Sequence, residues 1–143
     1  GFTSLDNRAS AQFISAGAER NTVTLKSRGE QIRSFCYVAD AASAIISVLI
    51  NSKPNTAYNI SNMNSVASVF EFAQMCAKIG GSELIVGEPT QDEIRQRSII
   101  KNQILDNTRL TALGWNPRYN LENGIKNSIT IIREVNEYEE KQN

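Results

Sequence analysis

Histidine is absent from this chain, cysteine occurs only twice, and no apolar run approaches the length that spans a bilayer. Each absence removes a class of chemistry. Without histidine there is no base for a serine or cysteine nucleophile of the triad type. Cys36 and Cys76 have no second pair of thiols and no imidazole beside them, so a four-ligand zinc site has too few ligands. Their neighbours are apolar (Phe35 and Tyr37, Met75 and Ala77), which predicts buried, reduced thiols without a reactive role. The longest apolar stretch, Ala44 to Ile50, is interrupted by Ser47 and too short for a membrane helix, and Gly1 opens no basic-then-apolar signal segment. A cytoplasmic location is expected. Excess charge is missing too: 15 Lys plus Arg balance 15 Asp plus Glu, for a formal net charge of +0. No overall field draws the chain to nucleic acid or to an anionic membrane, so any anion has to be gripped locally.

What is present suits one ordinary core. With 143 residues, 41% hydrophobic, and neither repeat nor linker, the chain is expected to form a single domain over residues 1–143, with a charged tail from Glu137 to Asn143. Helical spacing of Ala9, Phe13, Ala16 and Gly17 predicts a helix from Asp6 to Ala18, capped by Asp6 or Asn7. Val23-Thr24-Leu25 and Ile32 to Val38 are β-prone pieces on either side of a polar turn. Asp40 is placed to cap a helix with the apolar stripe Ala41, Ala44, Ile45, Val48 and Leu49. Ala57 to Ile60 reads as a strand.

The pattern then repeats. Ser68-Val69-Phe70-Glu71 is a capping box opening a helix with Phe72, Met75, Cys76 and Ile79 inward, and Gly80-Gly81 closes it. Leu84 to Val86 predicts another short strand, and residues 87–102 a polar surface loop carrying Arg95, Arg97 and Lys101. Asp106 is placed to cap a short helix ending at Gly114, Trp115 to pack into the core behind it, and Asn120 to cap a last helix with Ile125, Ile129, Ile132 and Val135 inward. Helices alternating with strands make an α/β class. Strands this short do not build a sizeable free-standing sheet, so several should need partners from elsewhere.

The order of these pieces resembles the C-terminal half of the extended short-chain dehydrogenase/reductases, the NAD-dependent nucleotide-sugar epimerases, dehydratases and decarboxylases. The resemblance is carried by Arg8 to Ile14, by Arg33-Ser34-Phe35-Cys36-Tyr37-Val38-Ala39-Asp40, by Ala57-Tyr58-Asn59-Ile60-Ser61-Asn62, and by Ile104-Leu105-Asp106 with Leu113-Gly114-Trp115 and Leu121 to Ile125. It implies a small C-terminal domain of mixed helices and short strands, without the Rossmann half that binds the dinucleotide. The branch resembled includes UDP-glucuronate decarboxylases, dTDP-glucose dehydratases and surface-polysaccharide epimerases.

Two features of that family have no counterpart here. Gly29 stands alone and Gly80-Gly81 ends a helix, so neither forms the glycine-rich turn that cradles a dinucleotide. Tyr37, Tyr58 and Tyr119 are followed four residues on by Ala41, Asn62 and Asn123, so none of the three opens a Tyr-x-x-x-Lys pair. The resemblance therefore implies no catalytic residue and no bound NAD in this chain; NAD belongs to the full-length enzyme, which is expected to be a homodimer. It also implies where a nucleotide-diphosphate sugar would be gripped. Arg33 takes the position that pairs with the diphosphate, and a permanently charged, planar fork suits that anion. Thr24 and Lys26 match the strand along the base and ribose, where backbone groups can read a pyrimidine edge. Arg8 opens the helix beside the nucleotide, and Arg97, rather than Arg95 or Lys101, is the expected second basic contact. The chain is thus expected to hold a UDP- or dTDP-sugar for an enzyme of surface polysaccharide synthesis, and to be inactive by itself; a stand-alone binding or association module is the alternative.

Overall fold

Local chemistry starts the helices where the sequence places caps. Ser68 accepts a hydrogen bond from the Glu71 N–H at 3.0 Å, and the Glu71 carboxylate accepts from the Ser68 N–H at 2.7 Å. These bonds to Ser68, backbone first and side chain second, hold the Glu71 carboxyl below its ordinary range, so the box weakens on acidification. The Asn120 side chain likewise accepts from the Asn123 N–H at 2.8 Å.

The computed structural model describes residues 8–91 and 100–142. In chain order its elements are α1 (Ala9–Ala18), β1 (Val23–Leu25), β2 (Ile32–Ser34), α2 (Val38–Asn51), β3 (Val66–Ser68), α3 (Val69–Gly80), β4 (Leu84–Val86), β5 (Asn102–Gln103), α4 (Thr108–Thr111) and α5 (Leu121–Glu140). The strands form two small sheets. β1 pairs parallel with β4, Val23 opposite Leu84. β2 lies between β3, antiparallel, and β5, parallel.

The main core lies among α1, β1, α3 and α5, with Phe13, Ile14, Val23, Leu25, Phe72, Cys76, Ile125 and Ile129 buried together. Close packing of α1 on α3 depends on glycine at both crossing positions. A Cβ on Gly80 would stand 2.6 Å from the Gly17 Cα, and one on Gly17 would stand 2.8 Å from the Cys76 carbonyl oxygen. Arg133 of α5 completes the junction: its Nε donates to the Ala18 carbonyl at 2.9 Å, and its Nη2 to the carbonyls of Gly17 at 2.9 Å and Gly80 at 2.7 Å. These are helix-end carbonyls, of which that of Gly17 also accepts from the Arg20 N–H at 3.4 Å. A second cluster joins Ala44, Leu110 and Trp115, as expected for the tryptophan, and the indole N–H donates to the Ser43 hydroxyl at 2.9 Å.

Several expectations are corrected. The start of α1 is Ala9 with Arg8 at its cap, Ala9 is exposed, and the buried face is Ala11, Phe13, Ile14, Gly17 and Ala18; Asp6 and Asn7 lie outside the described residues. β2 ends at Ser34, although the Phe35 N–H still donates to the Ser65 carbonyl at 2.9 Å, and the Phe35 ring stacks on Phe72, ring centres 4.4 Å apart. Ala57 to Ile60 forms no ladder, since no described strand lies beside it; side chains hold it, with Asn59 Nδ2 donating to the Asp106 carbonyl at 2.9 Å and Arg109 Nη1 to the Ala57 carbonyl at 3.3 Å. The stripe of α2 is half uncovered, with Ala44 buried but Ile45 51% and Leu49 78% exposed. Periodicity marks an apolar face without saying what covers it. Val135 of α5 is likewise exposed, and α5 continues to Glu140, into the stretch that charge alone marked as a tail. Asn102 and Gln103 form β5, where a loop was expected to reach Asn102.

Gly80→Ala should lower stability by about 2 kcal/mol, because the added methyl drives two backbones apart. Gly81, in the left-handed region at φ 72° but with nothing near its missing Cβ, should cost about 1 kcal/mol as alanine, from backbone strain alone. Urea denaturation of both variants checks this; a loss at Gly80 no larger than at Gly81 would contradict the close approach.

Candidate functional site

Arg33 sits at the centre of β2, between two partner strands, and its half-buried side chain turns toward the β5 side. Its Nη1 donates to the carbonyls of Ile32 at 2.9 Å and Lys101 at 3.4 Å, and its Nη2 to the carbonyl of Ile100 at 3.2 Å. The guanidinium is therefore held against the chain entering β5 instead of lying loose in solvent. Five N–H groups are available in such a fork, and these contacts engage three of them. With the adjoining carbonyls of residues 100 and 101 across its terminal edge, the Nε–H and one Nη2–H remain side by side among the described residues, an arrangement that fits two oxygens of one anion.

β1 offers a different kind of contact. The Val23 N–H donates to the Glu83 carbonyl and the Gly87 N–H to the Leu25 carbonyl, both at 2.8 Å, so Val23 and Leu25 turn their peptide groups toward β4. Alternation then turns the N–H and C=O of Thr24 to the opposite edge, where no described strand lies. The same alternation buries Val23 and Leu25 and exposes the Thr24 side chain. Lys26 follows at once and is exposed.

The predicted residues do not converge on one cavity. Arg8, at the N-cap of α1, lines a cleft of about 880 Å³ between α1, residues 35–38 and α5, which neither Arg33, Thr24 nor Lys26 lines. Arg97, with Arg95, lies outside the described residues. Lys101 is exposed, and its carbonyl also accepts from the Ile32 N–H at 2.8 Å, so its backbone belongs to the β2–β5 junction.

Asp40 has a role its spacing did not reveal. Tyr37, not Asp40, occupies the N-cap of α2, and the Asp40 carboxylate, 1% exposed, accepts from the N–H groups of Arg118 at 2.9 Å and Tyr119 at 3.0 Å. It anchors the segment leading into α5 and sets the Tyr119 ring 4.7 Å from that of Tyr37. Nothing local announces a bond across 78 positions. Arg133 left a clearer trace, a charge four residues beyond Ile129 on the buried stripe of its helix.

No group of three His, Cys, Asp or Glu that could hold a metal occurs among the described residues. Gly29 and Gly81 are both used by the fold: a Cβ on Gly29 would stand 2.7 Å from the Phe70 nitrogen, so this glycine serves packing, and Gly81 closes α3. Both thiols are free. Cys76 is in the core, where burial pushes its pKa up to about 12; Cys36 is half-buried and also raised, by burial first and the nearby Asp40 charge second. Neither is an activated nucleophile.

With this geometry in view, the sequence profile of the NAD dependent epimerase/dehydratase family matches residues 1–61. UDP-glucuronic acid decarboxylase 1 of Xenopus tropicalis is 28% identical over 137 residues, covering 94% of this chain and 31% of its own. UDP-glucuronic acid decarboxylase 5 of Arabidopsis thaliana is 30% identical over 122 residues, covering 84% of this chain and 34% of its own. By these matches the chain is similar to the NAD dependent epimerase/dehydratase family. Its fold matches the C-terminal portion of family members. The UDP-glucose 4-epimerase of Thermotoga maritima, solved with UDP-glucose, superposes with a TM-score of 0.74 at 24% identity over 90% of this chain and 40% of its own. The dTDP-glucose 4,6-dehydratase of Bacillus anthracis, solved with NAD, does so with a TM-score of 0.75 at 17% identity over 92% of this chain and 40% of its own. The chain spans about a third of the length of the curated relatives it matches.

Two outcomes test the anchors of this family fold. Asp40→Ala should cost about 2–3 kcal/mol in urea denaturation, the scale of lost hydrogen bonds to a buried charge; a loss below 1 kcal/mol would remove Asp40 from that role. The raised Cys76 pKa stabilises the folded state fully below pH 9, the ordinary thiol value, and this contribution drains away as pH rises toward 12. Stability should fall by up to about 1.4 kcal/mol per pH unit in that window from this group, and Cys76→Val should remove that part of the slope.

Proposed function

We propose that this chain is the substrate-gripping part of an NAD-dependent nucleotide-sugar epimerase or dehydratase acting in surface polysaccharide synthesis, and that it holds the diphosphate and base of a UDP- or dTDP-sugar. The observation that carries the reading is the Arg33 guanidinium, held by three backbone carbonyls with one fork edge left over. Thr24 supports it, since its N–H and C=O are turned to an open strand edge that can read a pyrimidine without a dedicated side chain. Arg8 at the start of α1 and Arg97 ahead of β5 supply the further basic contacts of the reading.

NAD would be bound by a portion of the enzyme other than these 143 residues, in which Gly29 packs against Phe70 and Gly81 closes α3. The dinucleotide supplies hydride transfer at the sugar. This chain supplies position: gripping the nucleotide away from the reacting carbon fixes the sugar's orientation, and binding energy from that remote contact serves the chemical step. The exposed apolar side chains of α2, Val38, Ile45, Ile46, Leu49 and Ile50, and the unladdered segment 57–60 give such a portion a surface to cover.

That same face favours a second reading, an association module working without catalytic partners in its own polypeptide. The gene decides between them: an upstream reading frame encoding a glycine-rich turn and a Tyr-x-x-x-Lys pair supports the enzyme, and its absence the module. Binding is tested by calorimetric titration with UDP. Arg33→Ala should weaken affinity about tenfold to hundredfold, the worth of a bidentate charge-assisted contact. No heat with the unaltered protein, or unchanged affinity in the variant, would sink the assignment.

A further inference from the structure

A guanidinium on a flexible stem is an imprecise anion ligand unless something sets its direction. In Arg33 that something is backbone at β5, a strand of two residues, Asn102 and Gln103, both exposed. So short a ladder contributes few bonds of its own. The Ile32 N–H donates to the Lys101 carbonyl at 2.8 Å, the Arg33 side chain bonds the carbonyls of Lys101 and Ile100, and the Leu105 N–H donates to the Ser34 hydroxyl at 3.3 Å beyond the strand. The Arg33 side chain thus supplies much of what fastens β5 to β2, and β5 in turn aims the Arg33 fork.

We infer that docking of β5 and anion binding at Arg33 are one coupled event, with the backbone of Ile100 and Lys101 positioning the guanidinium for its ligand. This rests on the nucleotide-binding reading of Arg33. The physical reason is reciprocal linkage. When β5 detaches, the side chain keeps only its bond to the Ile32 carbonyl and regains part of its rotamer freedom, and an anion then has to order it again at the cost of affinity. An anion that binds the aimed fork more tightly must stabilise the docked strand by the same factor.

Amide hydrogen exchange reads this directly, because the Ile32 N–H lies inside the junction. The Val69 N–H, bonded to the Gln31 carbonyl at 3.0 Å on the β3 side, serves as the control. In the unliganded protein, Arg33→Lys should speed exchange at Ile32 about tenfold, the worth of the lost side-chain bonds, with Val69 unchanged. In the unaltered protein, UDP at about 100 times its dissociation constant should slow Ile32 exchange by up to about 100-fold, with Val69 little affected. Unchanged Ile32 exchange in Arg33→Lys would overturn the fastening role. UDP binding that depends on Arg33 yet leaves Ile32 exchange unaltered would overturn the coupling and spare the nucleotide reading. Absence of UDP binding would overturn both.

Discussion

The fold depends first on how three helices meet at Gly17, Gly80 and Arg133. Glycine at both crossing positions lets the C-terminal ends of α1 and α3 approach to backbone contact, where helix-end carbonyls gather. An unpaired buried carbonyl costs about 1–3 kcal/mol. One guanidinium from α5 answers three of them. From this junction the chain leaves α1 for β1 and α3 for β4 over short connections, so two strands emerge side by side and pair parallel, Val23 with Leu84. The open edge at Thr24 therefore has its origin in helix packing rather than in sheet formation.

A second part of the molecule is assembled by side chains bonding backbone across long sequence separations. Asp40 holds the amides ahead of α5, the Asn62 side chain donates to the Tyr119 carbonyl at 2.8 Å, and the Ser61 hydroxyl to the Leu105 carbonyl at 2.6 Å. Asn107 returns a bond to the Ser61 carbonyl at 2.8 Å. Such stitches place residues 57–62 without a β-ladder and leave their strand-forming capacity unused. Together with the uncovered face of α2, they describe a unit complete on one side and open on the other.

This division matches the chemistry proposed for the chain. With a formal net charge of +0, the proposed recognition of a nucleotide diphosphate would rest on aimed contacts and not on a general field. Arg33 is aimed by carbonyls and Thr24 by strand alternation, both consequences of backbone geometry. The hydride chemistry of the family needs a dinucleotide turn and a tyrosine-lysine pair, neither of which occurs in these residues.

Much of the secondary structure was legible in the chain because its signals are local. The capping box at Ser68, the Asn120 cap, the positive-φ glycine after α3 and the short strands at Val23 and Leu84 each follow from a few adjacent residues. The absence of histidine could likewise be read directly from the residues. Tertiary structure decided the rest. It made Asp40 a long-range anchor instead of a cap, left the stripe of α2 half bare, and turned Arg33 from a strand residue into a held fork. The physical reason is common to all three: caps and periodicity depend on neighbours in sequence, whereas burial and the partners of a side chain depend on which distant backbone is brought beside it.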